Sequence, residues 1–328
     1  MINEKLKLHR AIFSKNAKLL AQRDGFGEGI FDLGKENPKV VALCADLKDS
    51  VRLTKFAENF PDRYIEMGIA EQNMAGVAAG LSHEGKIPYM CSHAIFNPAR
   101  NWDQIRVSIC ISNSNVKIIG SHCGFSNGKD GAVAESLEYI ALMRVLPNLT
   151  VVHPIDFIQT KKSVKEIANI KGPVYLRFSK TKTPQITTDK TPFKVGKAYV
   201  LSEGDDLTII SAGPIIHEVL LAARNLKSKH KINCEVIASP TIKPLDEETL
   251  LKSIKKTKKV VTIEEHQVIG GLGSAISELT SSKLPVPVLR IGVEDTFGES
   301  GSYNELKDKY GLSSHHIENK VINFLKKT

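Results

Sequence analysis

Short runs of apolar, largely β-branched residues alternate along the chain with longer segments in which apolar positions recur every three or four residues. The runs VVALCA (40–45), IPYMCS (87–92), VKIIGS (116–121), LTVVHP (149–154) and VYLRFS (174–179) are continuous rather than alternating, the mark of strands buried on both faces of a parallel sheet. Helix-like segments occupy 71–84, 98–110, 134–145 and 156–169. A second set follows, with strands at 206–211, 232–239, 259–265 and 286–292 and helices at 214–227, 246–256 and 271–281. Between the sets, TKTPQITTDKTPFKVG (181–196) breaks the rhythm with Pro184, Pro192 and clustered threonines and reads as a linker or crossing strand. The pattern predicts an α/β protein of two open, mostly parallel sheet domains with helices on both faces, divided as 1–183, a linker at 184–196, and 197–328. A chain of 328 residues has the length for two such domains.

Composition narrows the class. A hydrophobic content of 41% and a charged content of 25% belong to an ordinary globular protein. No apolar stretch approaches the ~18 residues of a membrane-spanning helix. The N-terminal stretch MINEKLKLHRAIFSKNAKLL lacks the apolar core and cleavage site of a signal peptide, so the cytoplasm is the default location. The net charge of +9 comes from scattered lysines, densest at Lys252, Lys255, Lys256, Lys258 and Lys259. These alternate with apolar residues and carry no interleaved aromatic, which reads as a solvated helix face rather than a nucleic-acid surface. The five cysteines are odd in number with none in a CxxC pair, which argues against a zinc site or a disulfide framework. Most read as small buried hydrophobes.

Against this background one carboxylate stands out. GIAEQNMAGVAAG (68–80) sets Glu71, with Gln72 and Asn73, in an otherwise apolar run. A lone buried carboxylate costs several kcal/mol unless it is paired, protonated or used. An acid that merely opens a helix, at the positive end of the dipole, explains the local sequence equally well. The glycine clusters Gly25-Phe-Gly27-Glu-Gly29 and Gly270-Gly271-Leu-Gly273 lack the spacing or the context of a dinucleotide site. They read as closely packed turns, or as a helix N-terminus near a neighbour. SHCGFSNGKDGAVAES (121–136) follows a strand and offers His122 and Asp130 where open α/β sheets place ligands. HAIFNPARNWDQIR (93–106) adds Phe96 and Trp102 beside Arg100 and Arg106; Phe96 precedes the predicted helix, where it packs in the core or lines a pocket.

Taken together, GIAEQNMAGVAAGLSHEGKIPY, FNPARNWDQIR and SHCGFSNGKDG followed by ALMRVLPNLTVVHP resemble the pyrimidine-binding domain of transketolase-type thiamine diphosphate enzymes. VVTIEEHQVIGGLGSAISE (260–278) and VEDTFGESG (293–301) are similar to the C-terminal domain of the same family. The resemblance spans nearly the whole chain and is nearest to the C-terminal subunit of a split transketolase. It implies that 1–183 is the pyrimidine-binding domain and 197–328 the transketolase C-terminal domain. It also implies that Glu71 is the catalytic glutamate, which hydrogen-bonds N1′ of the cofactor's aminopyrimidine and promotes deprotonation of thiazolium C2. Such chemistry needs an acid that can hold a proton in a dry site. Phe96 falls where an aromatic stacks on the pyrimidine, His93 on a second aromatic of that pocket, and Asp46 on an aspartate near it. Arg23, Ser50, His122 and Lys180 fall on phosphate-binding positions, and Asp130 on the aspartate that reads a sugar hydroxyl. Lys180 stands in place of an arginine, keeping the charge and losing the bidentate fork.

Departures from the family pattern are as informative. Ala134 occupies a usual active-site histidine position, Ala99 a tyrosine position, and Lys129 replaces an acid. The family's diphosphate is bound through Mg²⁺ by a GDG motif and a later asparagine on a separate domain, and the chain contains no GDG. By resemblance, then, a second, N-terminal subunit supplies the diphosphate and Mg²⁺ half in an α₂β₂ assembly, this chain is inactive alone, and the substrates are sugar phosphates. A synthase of deoxyxylulose phosphate, the β subunit of a 2-oxo-acid dehydrogenase E1 component and a non-catalytic assembly subunit are the alternatives. Glu264, Glu265 and His266 form a polar cluster at a strand end with no assigned role.

Overall fold

The computed structural model describes residues 2–14 and 16–328. Its first half is a seven-stranded sheet. Strands β2 (Val40–Cys44), β3 (Tyr64–Glu66), β4 (Ile87–His93), β5 (Lys117–Ser121), β6 (Thr150–Val152) and β7 (Val174–Phe178) run parallel in the order β6-β7-β5-β4-β2-β3. Every residue of β2, β5 and β7 is buried, the burial that the unbroken apolar runs predict. Strand β1 (Leu19–Ala21) pairs antiparallel with β8 (Lys182–Pro184). The linker segment therefore begins as a strand bound to the first half. It is held further by Asp156, whose carboxylate accepts from the backbone N–H of Ile186 at 2.9 Å and from Gln185 Nε2 at 2.6 Å.

The second half has five strands. β10 (Leu207–Ser211), β11 (Cys234–Ala238), β13 (Val260–Gln267) and β14 (Val288–Val293) are parallel, and β9 (Tyr199–Ser202) closes one edge antiparallel to β11. Strand β12 (Thr241–Lys243) leaves this half and adds an antiparallel edge strand to the first sheet beside β6. The halves are stitched further by a shared core, in which Phe125 and Ile155 of the first pack with Ile209, Val236 and Ile317 of the second. No helix among the described residues is long and apolar enough to cross a membrane.

Helices cover both faces of the sheets: α1 (Gln22–Glu36), α2 (Thr54–Asn59), α3 (Glu71–His83), α4 (Trp102–Gln104), α5 (Tyr139–Arg144) and α6 (Phe157–Ala168) in the first half, then α7 (Ile216–His230), α8 (Glu247–Thr257), α9 (Leu272–Lys283), α10 (Tyr303–Lys309) and α11 (Ser314–Leu325). Three expectations need correction. The 25–29 glycines lie near the start of α1 against a neighbour, one of the two expected settings, and not in turns: Gly25 and Gly29 face α6, where a Cβ on Gly25 would sit 2.3 Å from the Phe157 carbonyl oxygen, and a Cβ on Gly27 would sit 2.6 Å from the Arg52 Cβ. The helix expected at 98–110 starts only at Trp102 and continues over Ile105–Ile111 with wider, π-helical turns, after a turn in which Asn97 and Asn101 spend their side chains on backbone carbonyls. The helix expected at 134–145 shrinks to Tyr139–Arg144 because Ser136 bridges back to Gly124. The lysine-rich segment is α8 and its flank, with Lys252, Lys255, Lys256 and Lys258 exposed; Lys256 pairs with the exposed Asp205 and with the buried Glu235 of β11. All five cysteines are buried and unpaired, and burial pushes the Cys44 thiol up to about 12.

The glycines yield a paired stability test. Gly25→Ala drives a methyl into the α6 backbone and is expected to cost about 1–3 kcal/mol. Gly76→Ala, on the open face of α3 with nothing within 4 Å of the added carbon, is expected to stabilise the isolated chain by up to about 1 kcal/mol. Thermal or urea unfolding of the two variants reads both signs.

Candidate active site

Ser50, His93, Phe96, His122, Asp130 and Lys180 follow the carboxyl ends of β2, β4, β5 and β7, and Arg23 lies in the first turn of α1. Parallel strands deliver their loops to one edge, which is where an open α/β sheet forms a crevice. Gln22 fixes the α1 end: its Nε2 donates to the Pro154 carbonyl at 2.6 Å and its Oε1 accepts from Ser179 N–H at 2.8 Å, so Arg23 is seated against the end of β7.

Glu71 is the first residue of α3 and is 4% exposed. Its backbone carbonyl accepts from Asn101 Nδ2 at 3.0 Å, and Asn101 in turn donates to Asn97. Its carboxylate accepts from Arg100 Nη1 at 3.2 Å. Arg100 is half exposed, so this pair is worth on the order of 1 kcal/mol or less and restrains Glu71 weakly. The same guanidinium lies 4.1 Å from the centroid of the Phe96 ring. Phe96 and His93 are near parallel, 9° apart at 6.1 Å, and His93 stacks on His122 at 3.7 Å. The result is a column of Arg100, Phe96, His93 and His122. Sequence reasoning noted Arg100 as a neighbour of Phe96 without a role; the structure lays it over both Phe96 and Glu71.

Ser50 ties this column to a basic cluster. Its hydroxyl lies 2.8 Å from His93 Nε2 and 3.2 Å from His122 Nε2, and Arg23 Nη1 approaches His122 Nε2 at 3.4 Å. With that nitrogen accepting, His122 carries its proton on Nδ1, 2.7 Å from Ser121 Oγ. Burial pulls the His122 imidazole down to about 2, helped by His93, Lys180 and Arg23. Burial, then Lys180 and Arg23, pulls His93 down to about 4. Both rings are neutral at pH 7. Arg23 and Lys180 are themselves lowered by burial, with Asp130 acting in the opposite sense on Lys180. An anion entering here offsets the crowding of positive charge and meets two cations, a hydroxyl and neutral imidazoles. Asp130 is exposed at the end of a 3₁₀ turn, and Asp46, in left-handed backbone with φ 55°, has its N–H held by Glu66 at 2.8 Å. Asp46 is thereby placed at the sheet edge by its backbone.

The residues present fit an aromatic heterocycle carrying a basic nitrogen. A buried carboxylate opens a helix beside a half-buried aromatic ring, and the half-exposed Arg100 covers both. They do not form the oxygen-rich cluster that Mg²⁺ needs. Among the described residues the group that brings potential metal ligands within 4.8 Å of one another is Asp308, His315 and His316 near the surface, and its imidazoles do not suit Mg²⁺.

Two family models match most of the chain. Residues 18–185 match the pyrimidine-binding domain of transketolase, and residues 196–317 match its C-terminal domain. The chain belongs to the transketolase family of thiamine-dependent transferases. It is 44% identical to a solved chain described as split gene transketolase, inactive beta4 tetramer, with a TM-score of 0.87 over 94% of this chain and 99% of that one. It is 40% identical to a 6-deoxy-6-sulfo-D-fructose transketolase subunit of a Clostridium species over 90% of this chain and 91% of that protein. It is also 37% identical to an apulose-4-phosphate transketolase subunit of Phocaeicola vulgatus over 94% of this chain and 99% of that protein.

One further acid, Glu135, is not singled out by the sequence. Glu135 is 2% exposed, and neither carboxylate oxygen has a hydrogen-bond partner. Burial, then the charges of Glu265, Glu299 and Glu138, raises it to about 7. Below about pH 4.5 folded and unfolded chains both hold its proton. Between there and pH 7 only the folded chain does, so stability falls with rising pH, and the full penalty is present above 7. Glu135→Gln is therefore expected to gain about 2–3 kcal/mol over wild type at pH 8 and little near pH 4.5, read from urea unfolding across that range.

Proposed function

We propose that this chain is the C-terminal subunit of a two-component, cytoplasmic transketolase that moves a two-carbon ketol unit from a ketose phosphate to an aldose phosphate. The observation that carries the reading is the pairing of two features at one sheet edge: the buried Glu71 beside Phe96, and the basic Arg23–Ser50–His122–Lys180 cluster. Bound thiamine diphosphate supplies the carbon nucleophile. Glu71 holds the proton at the pyrimidine nitrogen, Phe96 and His93 set the plane of the ring, and Asp46 flanks it. Arg23, Ser50, His122 and Lys180 seat the sugar phosphate, and Asp130 accepts from a sugar hydroxyl.

The diphosphate and Mg²⁺ fall to an N-terminal partner, since the sequence has no GDG and the acids near Glu71 make no hard-cation cage. The surface beside Glu71 suits such docking. Gly76 and Gly80 are exposed one helical turn apart on α3 with nothing within 4 Å, and Ile69, Val107 and Ile111 are exposed on α3's lead-in and on the helix packed beside it. Relatives named for subunits support an assembly of two chain types, which we place as α₂β₂.

Ala134 and Ala99 favour a second form of the reading, in which the donor is not a standard pentulose phosphate. The two relatives are named for different sugars, so subunits of this kind serve more than one substrate. The test is to co-express the chain with its N-terminal partner and supply thiamine diphosphate, Mg²⁺, ribose 5-phosphate and a panel of ketose phosphates. We expect an aldose phosphate product from the pair and none from either chain alone. Turnover of pyruvate without any ketose phosphate would overturn the reading.

A further inference from the structure

The loop that carries His122 and Asp130 is held by the other half of the molecule. It leaves β5 through His122, in left-handed backbone at φ 61°, and Gly124, also at φ 61°, then makes a 3₁₀ turn over Phe125–Asp130. The Phe125 N–H donates to Glu265 Oε1 at 2.6 Å, and the Tyr303 hydroxyl donates to Glu265 Oε2 at 2.7 Å. Glu265 is 3% exposed and sits near the end of β13, so both carboxylate oxygens are engaged inside the protein. The fit excludes any side chain at Gly124, where a Cβ would lie 2.1 Å from Glu265 Oε1. The far side is clasped as tightly: Gly301 N–H donates to the Gly128 carbonyl at 2.9 Å, and a Cβ on Gly128 would lie 2.5 Å from the Gly301 carbonyl oxygen. The Phe125 ring stacks on Tyr310 at 4.9 Å. Beyond the turn, Gln267 N–H donates to the Leu137 carbonyl at 2.8 Å. The loop thus takes its shape from the strand end of β13, the 297–301 segment and α10.

We propose that Glu265, braced by Tyr303, is a positioning residue that fixes the His122–Asp130 loop and thereby sets the affinity of the site for the sugar phosphate. This assigns the C-terminal half a part in substrate binding, and it rests on the reading of the site given above. Glu265 touches neither Ser50 nor His93, so its effect runs through the Phe125 amide. Loss of the carboxylate leaves that buried N–H without an acceptor, and the turn that presents Asp130 loosens while the α3 segment holding Glu71 keeps its own bonds.

The test compares Glu265→Ala, Glu265→Gln and Tyr303→Phe in the two-subunit complex. Amide hydrogen exchange, ribose 5-phosphate binding by calorimetry and the kinetics of ketol transfer are measured for each. Glutamine can still accept from Phe125 N–H while donating to the tyrosine oxygen, so it is the conservative rescue. Glu265→Ala, and more mildly Tyr303→Phe, are expected to speed exchange across 122–131 about tenfold, with 71–83 unchanged. They should also weaken ribose 5-phosphate binding and raise its KM about tenfold, with kcat within about threefold. Glu265→Gln should stay near wild type. Unchanged loop exchange in Glu265→Ala, a loosened loop with unmoved affinity, or loosening spread equally over α3 would each overturn the proposal. If the wild-type complex transfers no ketol unit yet binds ribose 5-phosphate, and Glu265→Ala weakens that binding, the assigned reaction fails and the positioning role stands.

Discussion

Everything at this sheet edge is organised around a carboxylate that the protein buries without fully neutralising. Glu71 opens α3 with its backbone carbonyl tied by Asn101, while its side chain faces a single, half-exposed arginine. A buried acid with so weak a counterpart is a cost to the fold unless another group donates a hydrogen bond to it. The helix N-terminus relieves part of that cost, as the helix dipole favours an anion there. The rest of the cost is uncompensated among the described residues. Arg100 lies on both Glu71 and Phe96 and is the side chain that covers them together.

The parallel topology does the remaining assembly. Loops from β2, β4, β5 and β7 meet at one edge because all four strands point the same way, and α1 contributes Arg23 through the clamp of Gln22 on β6 and β7. Burial keeps the two imidazoles uncharged, so the positive field at the phosphate-side cluster comes from Arg23 and Lys180, with Arg52 and Lys129 acting nearby. The second half is part of this arrangement. Its strand β12 completes the first sheet, and its Glu265 and 297–301 segment shape the loop bearing Asp130.

Most of the architecture was legible because buried parallel strands leave unbroken apolar runs: VVALC and VYLRF appear as strands within a residue of where the pattern puts them. What failed to show was structure made by side chains acting on backbone. Asn97 and Asn101 delay the helix after β4, and Ser136 shortens the one before Arg144, neither of which periodicity registers. The glycines of α1 look like turn residues in isolation; only the presence of α6 and Arg52 against them explains their place in a helix. Glu71, Phe96 and the phosphate-side residues came from motif resemblance, and the structure sets Ser50, His93 and His122 within hydrogen-bonding or stacking distance. Arg100, Glu135 and Glu265 carried no such signal, because Arg100 reaches back to Glu71 and Glu265 to the Phe125 amide across long stretches of sequence, and Glu135 has no hydrogen-bond partner among the described residues.

The most direct measurement is the rate at which the C2 hydrogen of thiamine diphosphate exchanges with solvent deuterium in the two-subunit complex, followed by proton NMR with and without Glu71→Gln. If Glu71 holds the proton at the pyrimidine nitrogen, the wild-type complex exchanges roughly 10²–10⁴-fold faster than the variant at equal cofactor occupancy. A Glu71→Gln complex that binds the cofactor and exchanges at the wild-type rate would contradict the account.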